Sequence, residues 1–409
     1  MSRFLPLTLL FASLFSTSPA HGQSSSSPTA DELFGRGVER HQSGDILGAI
    51  EAYREALEKE PGRIDARSNL GAAYVRLGRY GDAVAEYRKA LEADESQVRV
   101  RFNLALALYK SALIPEAATE LEKVVAADPQ NNAALLLLAD CQLGLGQDAR
   151  VVTLLTPHEA ALGEDRLFSY LLGSALLRRN ELLRGQQLID RLFRGGDTAE
   201  AHLLLSVAHL QRQDSKAALP ELERAIAMNA ALPTVQSLYG RALMNLGRRA
   251  DATVAFRKEL ENNPNDFDSN LYLGLLLKDD NLLDESFDHL KRAARMRPQD
   301  SRVLYGLGSL HLAAGRVEEA QTALEAVTTQ VPDYLQAHVL LATVYYRQKK
   351  KELGDRERTI ADKLKEKQQA QEPGSRDDLG PAYRGQDAPE APPVSGAAPK
   401  PGDGPGTDR

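Results

Sequence analysis

Residues 44–61 read GDILGAIEAYREALEKEP, and residues 78–94 read GRYGDAVAEYRKALEAD. Ala49, Tyr53 and Ala56 of the first stretch recur in the second as Ala83, Tyr87 and Ala90, with the same spacing. Residues with this spacing lie on one face of an α-helix, so each stretch is predicted to be an amphipathic helix. Their common pattern indicates an internal repeat.

The repeat continues along most of the chain as two columns of small residues, twelve positions apart. The period between copies is constant, except that the step from Gly173 to Ser206 is one residue shorter than the others. Antiparallel helices approach closely only where side chains are small, so we expect the first column to face the second where two helices cross. The first column includes Gly37, Gly71, Gly173, Gly240, Gly274 and Gly308, and the second includes Ala49, Ala83, Ala117, Ala252 and Ala320.

Prolines mark the end of several copies, because proline cannot continue a helix. They are Pro61, Pro129, Pro264, Pro298 and Pro332. The pattern weakens in the middle, where Gly163 and Asp197 replace the closing proline and His158 and Leu192 replace a small residue. We therefore expect residues 132–198 to pack less regularly or to form a bend. Glu259 also departs from a column that otherwise holds alanine or valine.

These columns resemble the tetratricopeptide repeat (TPR) over residues 30–368, in about ten units. The resemblance implies an all-α fold, a right-handed superhelical solenoid of helix-turn-helix units whose first helices line a concave groove. A single unit cannot bury its own apolar face, so neighbouring units must stack. Residues 352–371 are highly charged and are predicted to form a C-terminal capping helix with a polar outer face.

The two ends of the chain differ from the repeats. Residues 1–22 are predicted to be a signal peptide, with Arg3, an apolar run too short to span a bilayer, and small residues Ala20 and Gly22 before the cleavage site. An uncleaved anchor is the alternative. Residues 23–29 are predicted to be a flexible linker, residues 30–371 the repeat array, and the proline-rich and glycine-rich residues 372–409 a disordered tail. We expect export to the periplasm or out of the cell, with no membrane span after cleavage.

The composition gives no indication of catalysis or of nucleic-acid binding. The net charge is −7, without the basic stripe that nucleic acid requires. Cys141 is the only cysteine, so the chain has neither an internal disulfide nor a cysteine-rich zinc site. His202 and His209 share a helix face but lack a third ligand. Phosphate-binding loops, nucleophile elbows and metalloprotease motifs are absent, so we expect neither an enzyme nor a bound cofactor or metal.

Polar residues in the early units are candidates for peptide binding. Asn69 and Asn103 occupy equivalent positions in adjacent first helices, with Arg76, Arg99 and Lys110 nearby. The resemblance implies that such stacked asparagines bond the backbone of an extended peptide, and that the cations form part of a carboxylate clamp. The match is incomplete, because Phe34 and Val38 stand where a clamp would carry Lys and Asn. The alternative is that the asparagines are solvated groove residues.

The middle units present an apolar stripe instead. We expect part of it to be exposed in the groove, where an apolar segment or a helix of a partner would bind. The alternative is that these residues are core. The stripe includes Leu136, Leu167, Tyr170, Leu203 and Val207.

The sequence therefore predicts a non-catalytic scaffold or adaptor in the cell envelope that binds extended peptides or protein segments in its groove. The partner is expected to be a protein. A structural solenoid that associates with itself is one alternative, and a carbohydrate-related enzyme partner is another.

Overall fold

The computed structural model describes residues 27–371, and within that range it contains α-helices joined by short turns and no β-strand. The predicted signal peptide at 1–22 and the predicted tail at 372–409 lie outside the described residues, as does most of the predicted linker.

The helices form ten consecutive antiparallel pairs, which we call units 1 to 10. The first helices of the units are α1 (Ala30–Ser43), α3 (Ile64–Arg76), α5 (Val98–Lys110), α7 (Asn132–Gly144), α10 (Arg166–Arg178), α12 (Ala199–Gln211), α14 (Val235–Asn245), α16 (Phe267–Asp279), α18 (Ser301–Ala313) and α20 (Leu335–Arg347). The second helices are α2 (Ile46–Lys59), α4 (Tyr80–Ala93), α6 (Ile114–Ala127), α8 (Asp148–Leu155), α11 (Leu182–Arg194), α13 (Ser215–Met228), α15 (Arg249–Asn262), α17 (Leu283–Met296), α19 (Val317–Gln330) and α21 (Lys351–Gln371). The predicted all-α superhelical solenoid is confirmed, and α21 is the C-terminal cap.

The glycines of the first helices lie against large side chains of the second helices. A Cβ atom added to any of five of these glycines would come within 2.5–2.8 Å of one such side chain. Each large residue lies four positions after the small residue of the second helix. The small residue allows the two backbones to approach, and the large side chain fills the space beside the glycine. The pairs are Gly37–Tyr53, Gly71–Tyr87, Gly240–Phe256, Gly274–Leu290 and Gly308–Leu324.

Gly173 is the exception, because a Cβ atom added there would come within 2.6 Å of Leu204 in the next unit. The irregularity expected between residues 132 and 198 is present. Helix α8 ends at Leu155 and is followed by a 3-10 turn, Thr156–His158, and by the short helix α9 (Glu159–Leu162). Pro157 has no N–H group to continue the α8 hydrogen-bond ladder, so the helix breaks there.

Every unit turns between its two helices through one residue in the left-handed backbone region. This residue has φ between +58° and +88° in all ten units. Glycine adopts the region freely, whereas other L-residues lose roughly 1–2 kcal/mol there. The ten positions are Gly44, Gly78, Ala112, Gly146, Asn180, Gln213, Gly247, Asn281, Gly315 and Lys349.

A recurring polar contact, which we call the clasp, joins each of several units to the loop before it. In the clasp, a first-helix side chain bonds the backbone carbonyl six residues earlier and a second-helix side chain nineteen residues later. Arg67 donates to the Pro61 carbonyl oxygen at 2.6 Å and to Glu86 at 2.9 Å. The other clasps are centred on Arg101 (Glu95 carbonyl, Glu120), Asn270 (Pro264 carbonyl, His289) and His338 (Pro332 carbonyl, Glu357).

The clasp changes where the repeat is irregular. His202, in the unit that follows the shortened repeat step, contacts the side chain of Asp197 at 2.6 Å in place of a carbonyl, and Glu221 at 2.5 Å. In unit 4 the corresponding positions hold Leu135 and Leu154, which pack in the core instead. His202, which the sequence suggested only weakly as a metal ligand, is therefore part of a structural contact.

The superhelix meets itself in its middle, along a line of contact that we call the seam. Asn265 Nδ2 donates to the backbone oxygen of Tyr109 at 3.3 Å, 156 residues away in sequence. Arg297 donates to the backbone oxygen of Gly144 through Nε at 2.9 Å and Nη2 at 2.6 Å. It thus satisfies a carbonyl at the C-terminus of α7, where a cation is also favoured by the helix dipole. The seam fills the concave face of the central units.

The left-handed turn predicts opposite effects for two substitutions. Ala112→Gly should raise the free energy of unfolding by about 1 kcal/mol, because glycine relieves the strain at φ +68°. Gly78→Ala should lower it by a similar amount, since a Cβ there meets no atom within 4 Å and only the backbone conformation is penalised. Urea denaturation followed by circular dichroism measures both. Equal effects in the same direction would contradict the assignment.

Candidate functional site

The N-terminal units enclose an open cleft of about 950 Å³ on the concave face. It is bounded by the first helices α1, α3 and α5 and by the turns that precede α3 and α5. Four of the five residues predicted to bind peptide line it, namely Asn69, Asn103, Arg76 and Arg99. Lys110 does not line the cleft and lies exposed at the end of α5. The peptide-binding role of these residues stays a prediction.

The two asparagines present their amides to this cleft from adjacent helices. Both side chains are half-buried, and neither forms a hydrogen bond with another described residue. A carboxamide carries two donors and one acceptor, which matches the N–H and C=O groups of a peptide backbone. The pair therefore offers unused hydrogen-bonding capacity at two points along the groove.

Two arginines of the cleft are also without ion-pair partners among residues 27–371. Arg76 and Arg99 are exposed, whereas Arg67 and Arg101 on the same helices are held by clasps. Burial, followed by the nearby charge of Arg76, lowers the pKa of His41, so this histidine adds no positive charge at neutral pH. The available cations of the cleft are therefore the arginines.

The opposite side of the cleft is acidic, a feature that the sequence analysis did not identify. Arg63 forms ion pairs with Asp31 at 2.5 Å, Asp65 at 2.9 Å and Glu60 at 3.6 Å. Its guanidinium also stacks on the Phe34 ring, with 4.5 Å between the guanidinium carbon and the ring centroid. Phe34, which replaces the lysine of a clamp, thus supports Arg63. The repeat spacing of Asp31 and Asp65 was the signal available in the sequence.

The apolar stripe of the central units is mostly core, which corrects the expectation of an open apolar groove. Tyr170, Leu203 and Val207 are 7%, 0% and 3% exposed. Leu136 is half-buried against the same core, and only Leu167 is clearly exposed, at 46%. The superhelix closes over Tyr170, as the contact of its hydroxyl with Thr234 Oγ1 at 2.7 Å shows. The sequence could not reveal this closure, because the two residues are 64 positions apart.

Ionisable groups gather at the seam around a cavity of about 70 Å³. Burial raises the pKa of Asp140, which accepts a hydrogen bond from the Tyr109 hydroxyl at 2.7 Å. Burial and Asp268 raise the pKa of Asp266. Burial also disfavours the charge of Asp268, but Arg302 and other arginines nearby lower its pKa below the ordinary value. The seam is thus a structural polar cluster inside the solenoid.

The contacts of Glu259 explain why its position departs from the alanine or valine of the other units. Its carboxyl oxygens accept from the backbone N–H groups of Thr234 at 2.9 Å and Gln236 at 3.1 Å, so it caps the N-terminus of α14 from the neighbouring helix. The side chain is buried. Burial, with a contribution from Asp266, raises its pKa to about 8.

Other candidate functional residues lie away from the cleft. Cys141 is buried, and this burial raises the pKa of its thiol. Within residues 27–371 there is no cluster of histidine, cysteine and acidic residues that could hold a metal ion. Within the same range no helix combines the length and apolar character needed to cross a membrane.

Known proteins resemble the chain in its repeats. Two family models, both described as tetratricopeptide repeat, match residues 40–101, 76–131 and 279–344 in one case and 160–234 and 239–301 in the other. No curated protein matches.

Several solved structures are similar. A MamA RS-1 ArsTM double mutant is 23% identical, with a TM-score of 0.37, and the match covers 43% of this chain and 98% of that one. MamA 41-end from Desulfovibrio magneticus RS-1 is 24% identical, with a TM-score of 0.37 and coverages of 42% and 98%. The APC/C hetero-tetramer Cut9-Hcn1 is 11% identical, with a TM-score of 0.47 and coverages of 83% and 87%.

The raised pKa of Glu259 predicts a pH-dependent stability. In the unfolded chain the group loses its proton near its ordinary pKa of 4.5, but in the folded chain it keeps the proton up to about pH 8. The contribution of this group to stability is therefore fully present below pH 4.5 and is lost as the pH rises to about 8. Glu259→Gln should remove this part of the slope of unfolding free energy against pH, by up to about 1.4 kcal/mol per pH unit.

Glu261→Gln is the matched control, since Glu261 is exposed on the same helix. Urea unfolding at several pH values between 5 and 8 compares the slopes, which do not depend on how much stability each variant has lost overall. If Glu259→Gln kept the slope of the parent chain, the ionisation assigned to Glu259 would be wrong.

Proposed function

Because the chain belongs to the tetratricopeptide repeat family, we propose that it is a non-catalytic protein-interaction scaffold whose N-terminal cleft binds extended segments of a protein partner that carry a carboxylate. The TPR repeats support the general role. The single observation that supports the site is that two unbonded asparagine amides and two unpaired arginines line one cleft.

The chemistry of these side chains fits an extended segment with a carboxylate. Asn69 and Asn103 lie in adjacent first helices, whose axes are roughly 10 Å apart. An extended chain advances about 3.3 Å per residue, so the two amides would bond the backbone about three residues apart. Arg76 and Arg99 would bind a carboxylate, because the guanidinium can donate two parallel hydrogen bonds to it.

The closure of the central units supports placing the ligand at the N-terminal end. Asn265, Arg297 and Tyr170 fill the concave face at the seam with contacts made by the chain itself. An incoming peptide would have to displace these contacts there. It would displace none at Asn69 and Asn103, whose amides bond no described residue.

The predicted signal peptide adds a cellular setting to this proposal. An apolar run after Arg3 and small residues at positions 20 and 22 favour export of the chain. The scaffold would then assemble proteins in the cell envelope, so its partner would also be located outside the cytoplasm.

Removal of the cleft arginines should weaken the binding of peptides that carry a carboxylate. A fluorescent peptide of about ten residues, long enough to span the cleft when extended, would carry a free C-terminal carboxylate. We expect Arg76→Ala with Arg99→Ala to weaken binding at least about tenfold, because charge-assisted hydrogen bonds contribute roughly 1.5–3 kcal/mol. Asn69→Ala with Asn103→Ala should weaken binding of the same peptide, and fluorescence anisotropy measures both.

Arg295→Ala, an exposed arginine near the end of α17, is the control and should leave the affinity unchanged. Equal affinities for the parent chain and for both double variants would show that the peptide does not bind in this cleft.

Export predicts a defined N-terminus. Protein recovered from the envelope of a Gram-negative bacterial host should begin at Gln23, because Ala20 and Gly22 place the cleavage site after residue 22. Intact-mass measurement distinguishes this product from the full chain. Recovery of the uncleaved chain from the cytoplasm alone would contradict the proposed localisation.

A further inference from the structure

The cleft carries opposite charges at its two ends, in an order set by the repeat. Asp31, Asp65 and Arg99 occupy the same repeat position in α1, α3 and α5. All three line the cleft. The sign of this column therefore changes from negative in units 1 and 2 to positive in unit 3.

The acidic end keeps a negative excess after its internal ion pairs are counted. Asp31, Glu60 and Asp65 surround one cation, Arg63, which is only 15% exposed. The side chains of Asp31 and Glu60 are 87% and 58% exposed, so their carboxylates can accept further bonds from a ligand.

The basic end has the reverse balance. Arg99, in unit 3, has no ion-pair partner among the described residues. Gln97, at the start of α5, is neutral and bonds Asp94. Asp65 occupies the same repeat position in the neighbouring unit, but it is paired with Arg63 at 2.9 Å, so Arg99 remains available to a ligand carboxylate.

The distance between the ends fixes a spacing in the ligand. Adjacent packed helices are roughly 8–10 Å apart, so Asp31 and Arg99 are separated by roughly 16–20 Å. An extended chain covers this in about five or six residues at about 3.3 Å each. Asn69 in α3 and Asn103 in α5 lie one helical turn after Asp65 and Arg99, and would hold the backbone extended along the same path.

We propose that the cleft selects segments that carry a lysine or arginine about five or six residues before a C-terminal carboxylate. The basic residue binds beside Asp31 and Glu60, and the carboxylate binds Arg99. The ligand therefore lies in one direction, with its C-terminus toward unit 3. This inference rests on the proposed function and adds the charge order of the ligand to it.

Three fluorescent peptides of about ten residues test the inference on the mature chain. The first has lysine about six residues before a free C-terminal carboxylate, the second has glutamate at the lysine position, and the third is the lysine peptide with a C-terminal amide. We expect the lysine peptide to bind at least about fivefold more tightly than the glutamate peptide, a preference that high salt should reduce. The amide should bind more weakly than either acid.

A charge-reversal variant locates the basic residue of the ligand. Asp31→Lys with Glu60→Lys should invert the preference, so that the glutamate peptide binds more tightly. The control, Glu51→Lys with Glu55→Lys, changes the net charge equally on exposed positions of α2 outside the cleft and should keep the parent preference.

The outcomes separate the two proposals. Failure of all three peptides to bind would overturn the proposed function itself. Binding that requires the free carboxylate but does not distinguish lysine from glutamate would leave the proposed function standing and overturn the charge order. A lysine preference that survives in the Asp31→Lys, Glu60→Lys variant would also overturn it.

Discussion

The close approach of two helices around one missing side chain is the constraint on which the solenoid depends. Tyr87 packs where a Cβ on Gly71 would be, and Phe256 does the same at Gly240. This contact sets the distance between the helices of a unit, and the left-handed turn residue sets their connection. Because each helical pair leaves apolar surface uncovered, stacking is obligatory and the geometry of one unit is copied into the next.

Because every unit repeats the same geometry, the superhelix closes on itself at the central units. A small rotation per unit accumulates until α5 and α7 come within hydrogen-bonding distance of the loops around α16 and α17. Arg297 then supplies to Gly144 the partner that a helix C-terminus lacks. The closure buries groove positions such as Tyr170, and the open cleft lies in the units that precede it.

The sequence predicted the packing within each unit, but it did not predict the contacts between distant units. The columns through Gly71 and Ala83 were visible because every copy obeys the same steric rule. The seam contact between Asn265 and Tyr109 has no periodic signal, since it depends on rotation summed over several units. The exposure of Tyr170 was misjudged for the same reason. The clasp is an intermediate case. Its spacing is periodic, but the residue at its centre differs between units, as Arg67, His202 and Asn270 show, so no single residue type marks it in the sequence.

The clasp also shows why charge alone does not identify ligand-binding residues in this fold. Arg67 lies two positions before Asn69, and Arg101 two positions before Asn103, yet both arginines bond a loop carbonyl and a glutamate of their own unit. Arg99 lies four positions before Asn103, about one helical turn, and bonds no described residue. The difference follows from helix geometry, because residues two positions apart point about 200° away from each other around the axis. Whether a side chain is available to a ligand in this solenoid therefore depends on the helix face on which it lies, and the position in the repeat specifies that face more reliably than the residue type does.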